Sequence, residues 1–320
     1  MKRPSVVNAV LAFIIAVVGA YYWNWCTLHN PVVISQPTAV SQPTVVKSEE
    51  DLEKHQPDVA KDNARVNILV LGTDNMGNEV ARTDSMIFVS ATLNTHKISV
   101  ISIPRDTRVN IPGVGLTKIT HANVVGELKG GIHEGTLQSA KAVSDLLGVT
   151  VNYYVKINFK GFVKTVDAIG GIDVTLPNEV NDNSSNLHLS AGSHHLSGNE
   201  ALILAQARYG LPKGDFDRQQ DQFYILSALA QQMLNPANIS KLPEVLKVAH
   251  QELVDTNLSV VEMATMGLEF KGVNEEAIKY YQLPGDGISA HDPLVNANVY
   301  YYEPNLEGVK AVVQEATAWN

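Results

Sequence analysis

From residue 65 onward, the sequence alternates between short runs of β-branched and apolar residues and longer segments with helical spacing. We predict strands over residues 66–71, 85–92, 97–103, 153–157, 172–176, 277–283 and 299–302. We predict helices over residues 135–147, 159–169, 197–207, 217–234, 242–250, 259–270 and 306–317. Strands that alternate with helices in this way indicate an α/β layered fold around one sheet.

A nearly continuous apolar run over residues 6–22 precedes this region, with Lys2 and Arg3 before it and tyrosines and tryptophans after it. A membrane-spanning helix needs about 20 apolar residues, and basic residues before it keep the N-terminus in the cytoplasm. We therefore predict a cytoplasmic tip and transmembrane anchor over residues 1–26, with the rest of the chain extracytoplasmic. A cleaved signal peptide is the alternative, and it would export the same domain.

The segment between the apolar run and the first strand lacks any sustained apolar period. It contains three prolines among serine, threonine and glutamine, followed by a charged stretch. This composition is typical of a flexible linker, which we assign to residues 27–63. The catalytic or binding domain would then occupy residues 64–320.

Charge and cysteine content exclude several classes of protein. The formal net charge is −9, and a general nucleic-acid binder would need a basic face to neutralise phosphates. Cys26 is the only cysteine, which excludes an intramolecular disulfide framework and a cysteine-based zinc site.

Arginine is scarce, and five of the seven arginines lie in short segments rich in Asp, Gly or Pro beside predicted element ends. These five are Arg82, Arg105, Arg108, Arg208 and Arg218. Residues 64–320 carry 19 basic and 27 acidic side chains, so the arginines are not part of a generic basic surface. Guanidinium groups suit planar, bidentate contacts to carboxylate or phosphate. The pattern favours a confined site for a multiply charged anion; scattered ion pairs with the surplus carboxylates are the alternative.

Two aspartates flank the first two predicted strands: Asp74 follows the first, and Asp84 precedes the second. Adjacent strands can bring both carboxylates to one edge of a sheet. Carboxylates without Cys or His partners favour a hard cation such as Mg²⁺, held together with substrate phosphates. Turn capping by aspartate is the alternative interpretation.

Five blocks of sequence then occur in a recognisable order. They are Gly72-Thr73-Asp74 with Arg82-Thr83-Asp84, the Ser-Ile-Pro-Arg-Asp-Thr run at 102–107, Lys118 with His121-Ala122-Asn123, the Gly-Gly-Ile-Asp-Val run at 170–174, and the segment 212–222. Together they resemble the LytR–CpsA–Psr family of cell-envelope proteins. The resemblance is clear over residues 64–235 and extends to about residue 317.

The resemblance implies both a fold and an activity. The family fold is a single α/β/α sandwich domain around a mixed sheet, with a hydrophobic tunnel for a polyprenyl tail. Its members are anchored, extracytoplasmic phosphotransferases that move a glycopolymer phosphate from an undecaprenyl-pyrophosphate carrier to peptidoglycan or another envelope acceptor. They use Mg²⁺ (or Mn²⁺), and many also show pyrophosphatase activity. An extracytoplasmic pyrophosphatase and a non-catalytic polyprenyl-phosphate-binding protein remain alternatives.

The resemblance also implies residue assignments. The metal ligands would be Asp74 and Asp84. The pyrophosphate would be bound by Arg82, Arg105, Arg108, Lys118, Arg208, Asp215, Arg218 and Gln222. The catalytic residues would be Asp74, Arg105, Asp106 and Arg218, and the sequence does not choose between Asp74 and Asp106 as a base.

Some positions depart from the family pattern. Gln206, Asp221 and Phe223 stand where the family often has basic residues, and fewer cations would weaken the hold on pyrophosphate. Candidates for an apolar slot, by helical spacing, are Val143, Leu146, Leu147, Phe159, Phe162, Phe223, Ile225, Leu226 and Leu229, with ordinary core packing as the alternative.

Overall fold

The computed structural model describes residues 65–74, 80–208, 211–212, 214–234, 251–259, 262, 270 and 277–318. The predicted anchor, the linker and the predicted helix over 242–250 lie outside these residues, as does most of the predicted helix over 259–270. Within the part of the chain that is described, no helix is long and apolar enough to cross a membrane.

The described residues form two compact units. We call the first the sheet unit, which contains residues 65–158, 254–257 and 279–318, and the second the helical unit, which contains the described residues of 159–253 and 258–278.

The sheet unit contains most of the strands. They are β1 (Arg65–Thr73), β2 (Thr83–Thr92), β3 (Lys97–Ser102), β4 (Arg108–Ile111), β5 (Gly115–Lys118), β6 (Tyr153–Asn158), β11 (Leu253–Thr256), β12 (Ile278–Gln282), β13 (Gly285–Asp292) and β14 (Ala297–Pro304). The first residues of β11 and β12 are assigned to the helical unit. Its helices are α1 (His121–Gly130), α2 (Ile132–Leu147) and α6 (Leu306–Ala318).

A six-stranded mixed sheet lies at the centre of the sheet unit, in the order β11–β6–β1–β2–β3–β12. Strand β1 pairs antiparallel with β2 and parallel with β6, and β2 pairs antiparallel with β3. The predicted α/β fold with a central mixed sheet is therefore confirmed.

One apolar cluster joins this sheet to three helices. Leu69, Leu71, Met86 and Phe88 alternate with residues of the opposite face along β1 and β2, as the two-residue period of a strand requires. They pack with Leu137 and other side chains of α2, and with buried residues of α1 and α6. The helices thus bury their apolar sides against one face of the sheet, which fixes where the strand ends lie.

Two hairpins accompany the sheet, and of their four strands the sequence patterns predicted only part of β14. Strands β4 and β5 pair antiparallel around a turn in which Gly113 and Gly115 adopt φ of +81° and +100°, a region that favours glycine. Strands β13 and β14 form the second hairpin over eight paired positions.

The helical unit contains the remaining elements. They are α3 (Phe159–Ala168), β7 (Ile172–Leu176), β8 (Val180–Asp182), β9 (Leu187–Leu189), β10 (Gly192–Leu196), α4 (Gly198–Gln206) and α5 (Asp215–Leu234). Ser197 and Glu200 form a capping box at the start of α4. His194 and His195 lie on β10, which pairs antiparallel with β7.

Candidate functional site

The ends of β1 and β2 bring the first acidic and basic residues of the predicted site together. The ladder register shifts between Gly72 and Thr73, so that the N–H of Asp74 donates to the carbonyl of Arg82 (3.1 Å). The N–H of Arg82 donates in turn to Asp74 Oδ1 (2.8 Å), and its guanidinium donates to Asp74 Oδ2 (3.0 Å). Asp74 and Arg82 therefore form an ion pair at the ends of β1 and β2, supported by main-chain hydrogen bonds.

A second group of charges lies on the loop that leaves β3. Arg105 pairs with Asp84 (NH1 to Oδ1, 2.5 Å), and its Nε lies 3.9 Å from Asp106 Oδ2. Lys118 pairs with Asp106 (2.5 Å). These four side chains, which we call the charged chain, alternate in sign, and each remains 17–23% exposed. The charged chain thus forms one continuous, partly exposed group of charges. Its residues come from β2, the loop after β3 and β5.

Main-chain hydrogen bonds hold the loop that carries Arg105 and Asp106. The N–H of Ile103 donates to Met86 O, and the N–H of Thr120 donates to Arg105 O (3.2 Å). The N–H of Tyr302 donates to Asp106 O (2.9 Å).

Thr107 closes the same loop from within. Its N–H and its hydroxyl both donate to Pro104 O (2.9 and 2.6 Å), and its carbonyl accepts from the N–H of Ile119 (2.8 Å). Bonds to β2, β14 and the segment before α1 therefore fix the loop, which positions its charged side chains before any ligand binds.

Arg108 lies beside the charged chain but has different partners. Its NH1 pairs with Glu303 (3.2 Å), and its guanidinium carbon lies 5.4 Å from the centre of the Tyr301 ring. Its Nε is buried without a hydrogen-bond partner among the described residues. Arg108 and Lys118 face each other in the β4–β5 ladder.

The other four predicted site residues lie in the helical unit. Arg218, on the first turn of α5, pairs with Asp215 (2.6 Å), which also accepts from the amide of Gln219 (3.0 Å). The Gln222 amide donates to Ala205 O (3.0 Å). The N–H of Arg208 donates to Asp182 Oδ2 (3.0 Å). Arg218 and Gln222 lie four residues apart on α5, and their side chains have different partners.

Asp221, one of the departures from the family pattern, is buried on the same helix. Only 6% of it is exposed, and its Oδ2 has no hydrogen-bond partner among the described residues. Burial, together with the charge of Asp217, raises the pKa of the Asp221 carboxyl to about 7.

Several apolar-slot candidates are core residues. Val143 and Leu147 belong to the cluster that joins α2 to the sheet, so ordinary packing accounts for them. Phe223, Ile225 and Leu229 are buried within α5.

A buried polar network behind the site had no counterpart in the sequence predictions of function. Lys156 Nζ donates to Glu127 Oε1 (2.6 Å) and to Asn123 Oδ1 (2.8 Å), and Lys156 is fully buried. Glu127 Oε2 accepts from the N–H of Ala81 (3.0 Å), whose carbonyl accepts from the Asn123 amide (2.7 Å). The network therefore fixes the residue that precedes Arg82.

Asp74 and Asp84 offer carboxylate oxygens, one of the oxygen donor types that Mg²⁺ binds. Among the described residues, no group of three or more His, Cys, Asp or Glu side chains is arranged to hold a metal. Two such carboxylates could hold a magnesium ion only together with water or substrate phosphates, and in this structure Asp74 pairs with Arg82 and Asp84 with Arg105.

Comparisons with known proteins agree with this architecture. The chain is 36% identical over 240 residues to the polyisoprenyl-teichoic acid–peptidoglycan teichoic acid transferase TagU of Bacillus cereus, covering 75% of this chain and 74% of that protein. It is 30% identical over 270 residues to the protein of the same name from Oceanobacillus iheyensis, covering 84% and 81% of the two chains.

Solved structures and a family model extend the comparison. The crystal structure of Bacillus subtilis TagV matches with a TM-score of 0.64 and 30% identity, over 80% of this chain and 98% of that one. A structure of TagT bound to LI-WTA matches with a TM-score of 0.63 and 25% identity, over 89% and 98%. The model of the LytR_cpsA_psr family matches residues 34–317. The chain therefore belongs to the LytR–CpsA–Psr family, as its ordered sequence blocks had indicated.

Proposed function

We propose that this chain is a membrane-anchored, Mg²⁺-dependent phosphotransferase. It moves a glycopolymer phosphate from an undecaprenyl-pyrophosphate carrier to peptidoglycan or another envelope acceptor. The chain is a transferase by family, because its relatives are named as teichoic acid transferases and it covers about three quarters of their length. TagT bound to LI-WTA supports a lipid-linked glycopolymer as the donor.

The charged chain is the observation that carries this proposal. Two cations, Arg105 and Lys118, are held beside two carboxylates, and main-chain bonds fix the loop that carries Arg105 and Asp106. A diphosphate needs such cations, because negative charge builds on the bridging and equatorial oxygens as the phosphoanhydride breaks. Cations that are already positioned stabilise this charge without reorganising during the reaction.

The site residues divide into those that would bind the diphosphate and those that would hold the metal. Arg105 and Lys118 bind the diphosphate oxygens, and Asp106 holds Lys118 in place. Asp74 and Asp84 would hold the metal, which neutralises phosphate charge when it is bound. Arg82 pairs with Asp74, and Arg108 lies opposite Lys118 in the β4–β5 ladder; both are also proposed to bind the pyrophosphate. Arg208, Asp215, Arg218 and Gln222 remain predicted pyrophosphate-binding residues.

The test is a transfer assay with the full-length protein. The probe is an undecaprenyl-pyrophosphate-linked saccharide, with peptidoglycan glycan strands as acceptor and Mg²⁺ present. We expect acceptor-linked sugar, loss of product on chelation with EDTA, and recovery when Mg²⁺ is restored. Asp84→Asn removes one metal ligand and should lower the rate, whereas Lys129→Ala, an exposed change on α1, should not.

Three outcomes would contradict parts of this proposal. Release of polyprenyl phosphate and saccharide phosphate without acceptor-linked sugar would indicate a pyrophosphatase, an activity that would fit the absence of basic residues at Gln206, Asp221 and Phe223. Normal envelope function in cells that carry folded Asp74→Ala, Arg105→Ala and Arg218→Ala proteins would reject catalysis. Full activity in EDTA would reject the metal.

Location is a separate part of the proposal. The apolar run over residues 6–22 anchors the chain, with Lys2 and Arg3 in the cytoplasm and the catalytic domain outside. External protease added to intact spheroplasts should digest the domain and leave a membrane-bound N-terminal fragment. A domain protected from protease would contradict this orientation, and a protein that leaves the membrane without detergent would favour the cleaved signal peptide.

A further inference from the structure

A buried hydrogen-bonded triad lies next to the charged chain. The hydroxyl of Thr117 donates to Asp292 Oδ2 (2.7 Å), and the same hydroxyl oxygen lies 2.7 Å from His121 Nδ1. Tyr301 also donates to Asp292 Oδ2 (2.7 Å). Thr117 and Asp292 are fully buried, whereas the His121 side chain keeps 15% of its surface exposed. The triad thus has a sealed inner end and a partly open outer end.

These contacts fix the tautomer of His121. An ionised carboxylate only accepts hydrogen bonds, so the single hydroxyl proton of Thr117 goes to Asp292. The Thr117 oxygen must then accept from His121, which places the ring proton on Nδ1. Nε2 is left with its lone pair, and no described residue is hydrogen-bonded to it. The ring therefore presents a proton acceptor.

The charge state of the triad suits proton transfer near neutral pH. Burial alone would raise the pKa of Asp292, but hydrogen bonds from Tyr301, Thr117 and two backbone N–H groups lower it to about 2. Burial lowers the pKa of His121; Lys118 and Arg82 lower it further, while Asp292 and Asp106 raise it. His121 is therefore neutral at pH 7 and can take up a proton.

His121 is also tied to the predicted site by position. It begins α1, and the N–H of Thr120 directly before it donates to the carbonyl of Arg105. Lys118, three residues earlier, pairs with Asp106 of the charged chain. The ring is also close enough to Lys118, Asp106 and Arg82 for their charges to act on it.

We propose that His121 is the general base of the transfer reaction, with Thr117 and Asp292 as positioning residues that hold its tautomer. This inference rests on the proposed function. The acceptor hydroxyl oxygen forms a bond to the sugar-linked phosphorus, and its proton passes to His121 Nε2. The bond from that phosphorus to the bridging oxygen breaks, and its electron pair leaves with polyprenyl phosphate. Asp292 stabilises the resulting imidazolium through the Thr117 hydroxyl, and the proton is then released to solvent.

The two carboxylates that the sequence offered as bases are engaged elsewhere. Asp74 accepts from the backbone and the guanidinium of Arg82, and Asp106 pairs with Lys118. Protonating either would break an ion pair that holds the site. His121 Nε2 has no such engagement among the described residues.

The experiment compares full-length wild-type protein with His121→Gln in the transfer assay described above, as a function of pH. Wild-type kcat/KM should fall on the acid side as His121 is protonated, with the midpoint below the ordinary histidine value. His121→Gln should lower kcat by about 10²- to 10⁴-fold, leave KM for the lipid-linked donor within about threefold, and abolish the acid limb. Added imidazole should restore part of the rate.

Matched variants separate catalysis from structure. His188→Gln changes an exposed histidine of β9 and should behave as wild type. Thr117→Val removes the relay and should lower kcat while donor binding persists, whereas Thr117→Ser should restore it. An active wild type with an unchanged rate and acid limb in folded His121→Gln would overturn this inference alone. A wild type without transfer activity would instead overturn the proposed function.

Discussion

Lys156 and Glu127 form a 2.6 Å ion pair in which only 1% and 5% of the two side chains are exposed. Lys156 is on β6 and Glu127 is on α1, so the pair joins the central sheet to the helix that covers it. Because Glu127 also accepts the N–H of Ala81, the pair holds the chain at the residue before Arg82. The Glu127 carboxylate thus contacts both the buried Lys156 and the backbone directly before the site residue Arg82.

Breaking this pair should strongly destabilise the protein. Lys156→Met leaves the Glu127 charge buried without its partner, and we expect the free energy of unfolding to fall by about 3–5 kcal/mol. Urea denaturation at pH 7 measures it, with Lys129→Met as the exposed control, expected within about 0.5 kcal/mol of wild type. A loss below about 1 kcal/mol for Lys156→Met would show that the pair is not a buried constraint.

Replacing Arg105 should impair catalysis more than folding. Arg105→Ala removes a positioned cation from the charged chain, and loss of one such donor typically costs about 10²- to 10³-fold in rate. Arg105→Lys retains the charge but not the planar fork, so it should recover only part of the rate. The measurement is steady-state transfer, with Lys310→Ala on the exposed face of α6 as control. Equal activity of all three variants would contradict the assignment of Arg105.

Asp221 should make the folded protein less stable as the pH rises. Its carboxyl has a pKa raised to about 7, so the folded state holds this proton more tightly than the unfolded chain does. The free energy of unfolding contributed by this group is therefore greatest below about pH 4 and is lost as the pH rises to about 7. Asp221→Asn should be more stable at pH 8, by up to about 4 kcal/mol, and little changed at pH 4. Thermal unfolding across this range checks it, and a gain that does not vary with pH would be contrary to the prediction.

Asp292 should have the opposite pH dependence. Its folded-state pKa of about 2 lies below the unfolded value, so its contribution is complete above about pH 4 and is lost as the pH falls towards 2. A shift of this size corresponds to about 2 kcal/mol. Denaturation of wild type and Asp292→Asn between pH 2 and 6 measures the difference, with the exposed Asp286→Asn as control. Parallel curves for all three proteins would argue against a strongly hydrogen-bonded carboxylate.

The sequence predicted the elements whose apolar pattern is long and regular. The run over 66–71 became the centre of β1, and the helical spacing over 135–147 lies within α2, because burial on the sheet requires those periods. Strands β4 and β5 have four residues each, too few for a pattern to emerge. Helix α1 includes Gly126 and Gly130, and Gly126 lies so close to α2 that a Cβ would clash with the carbonyl oxygen of Glu134. Close packing of the two helices therefore requires glycines in α1, and their low helix propensity explains why the sequence did not predict this helix.

Contacts within the site could be predicted from the sequence only between residues on neighbouring strands. Asp84 and Arg105 meet because β2 and β3 pair, a relationship that follows from two adjacent strand patterns. Asp292 lies 175 residues from Thr117, with which it bonds, and no local pattern joins them. His121 was visible in a sequence block, but its tautomer depends on those distant partners. Long-range polar contacts of this kind emerge only from the folded chain.

Amide groups and one threonine hydroxyl hold the backbone of the loop at 104–107, while its charged side chains pair with residues outside the loop. The backbone conformation of this loop therefore does not depend on which charged side chains it carries. Natural variation or engineering can exchange Arg105 or Asp106 to suit a different donor without rebuilding the backbone beneath them. Evolution of new envelope polymers would then need few substitutions in this part of the protein.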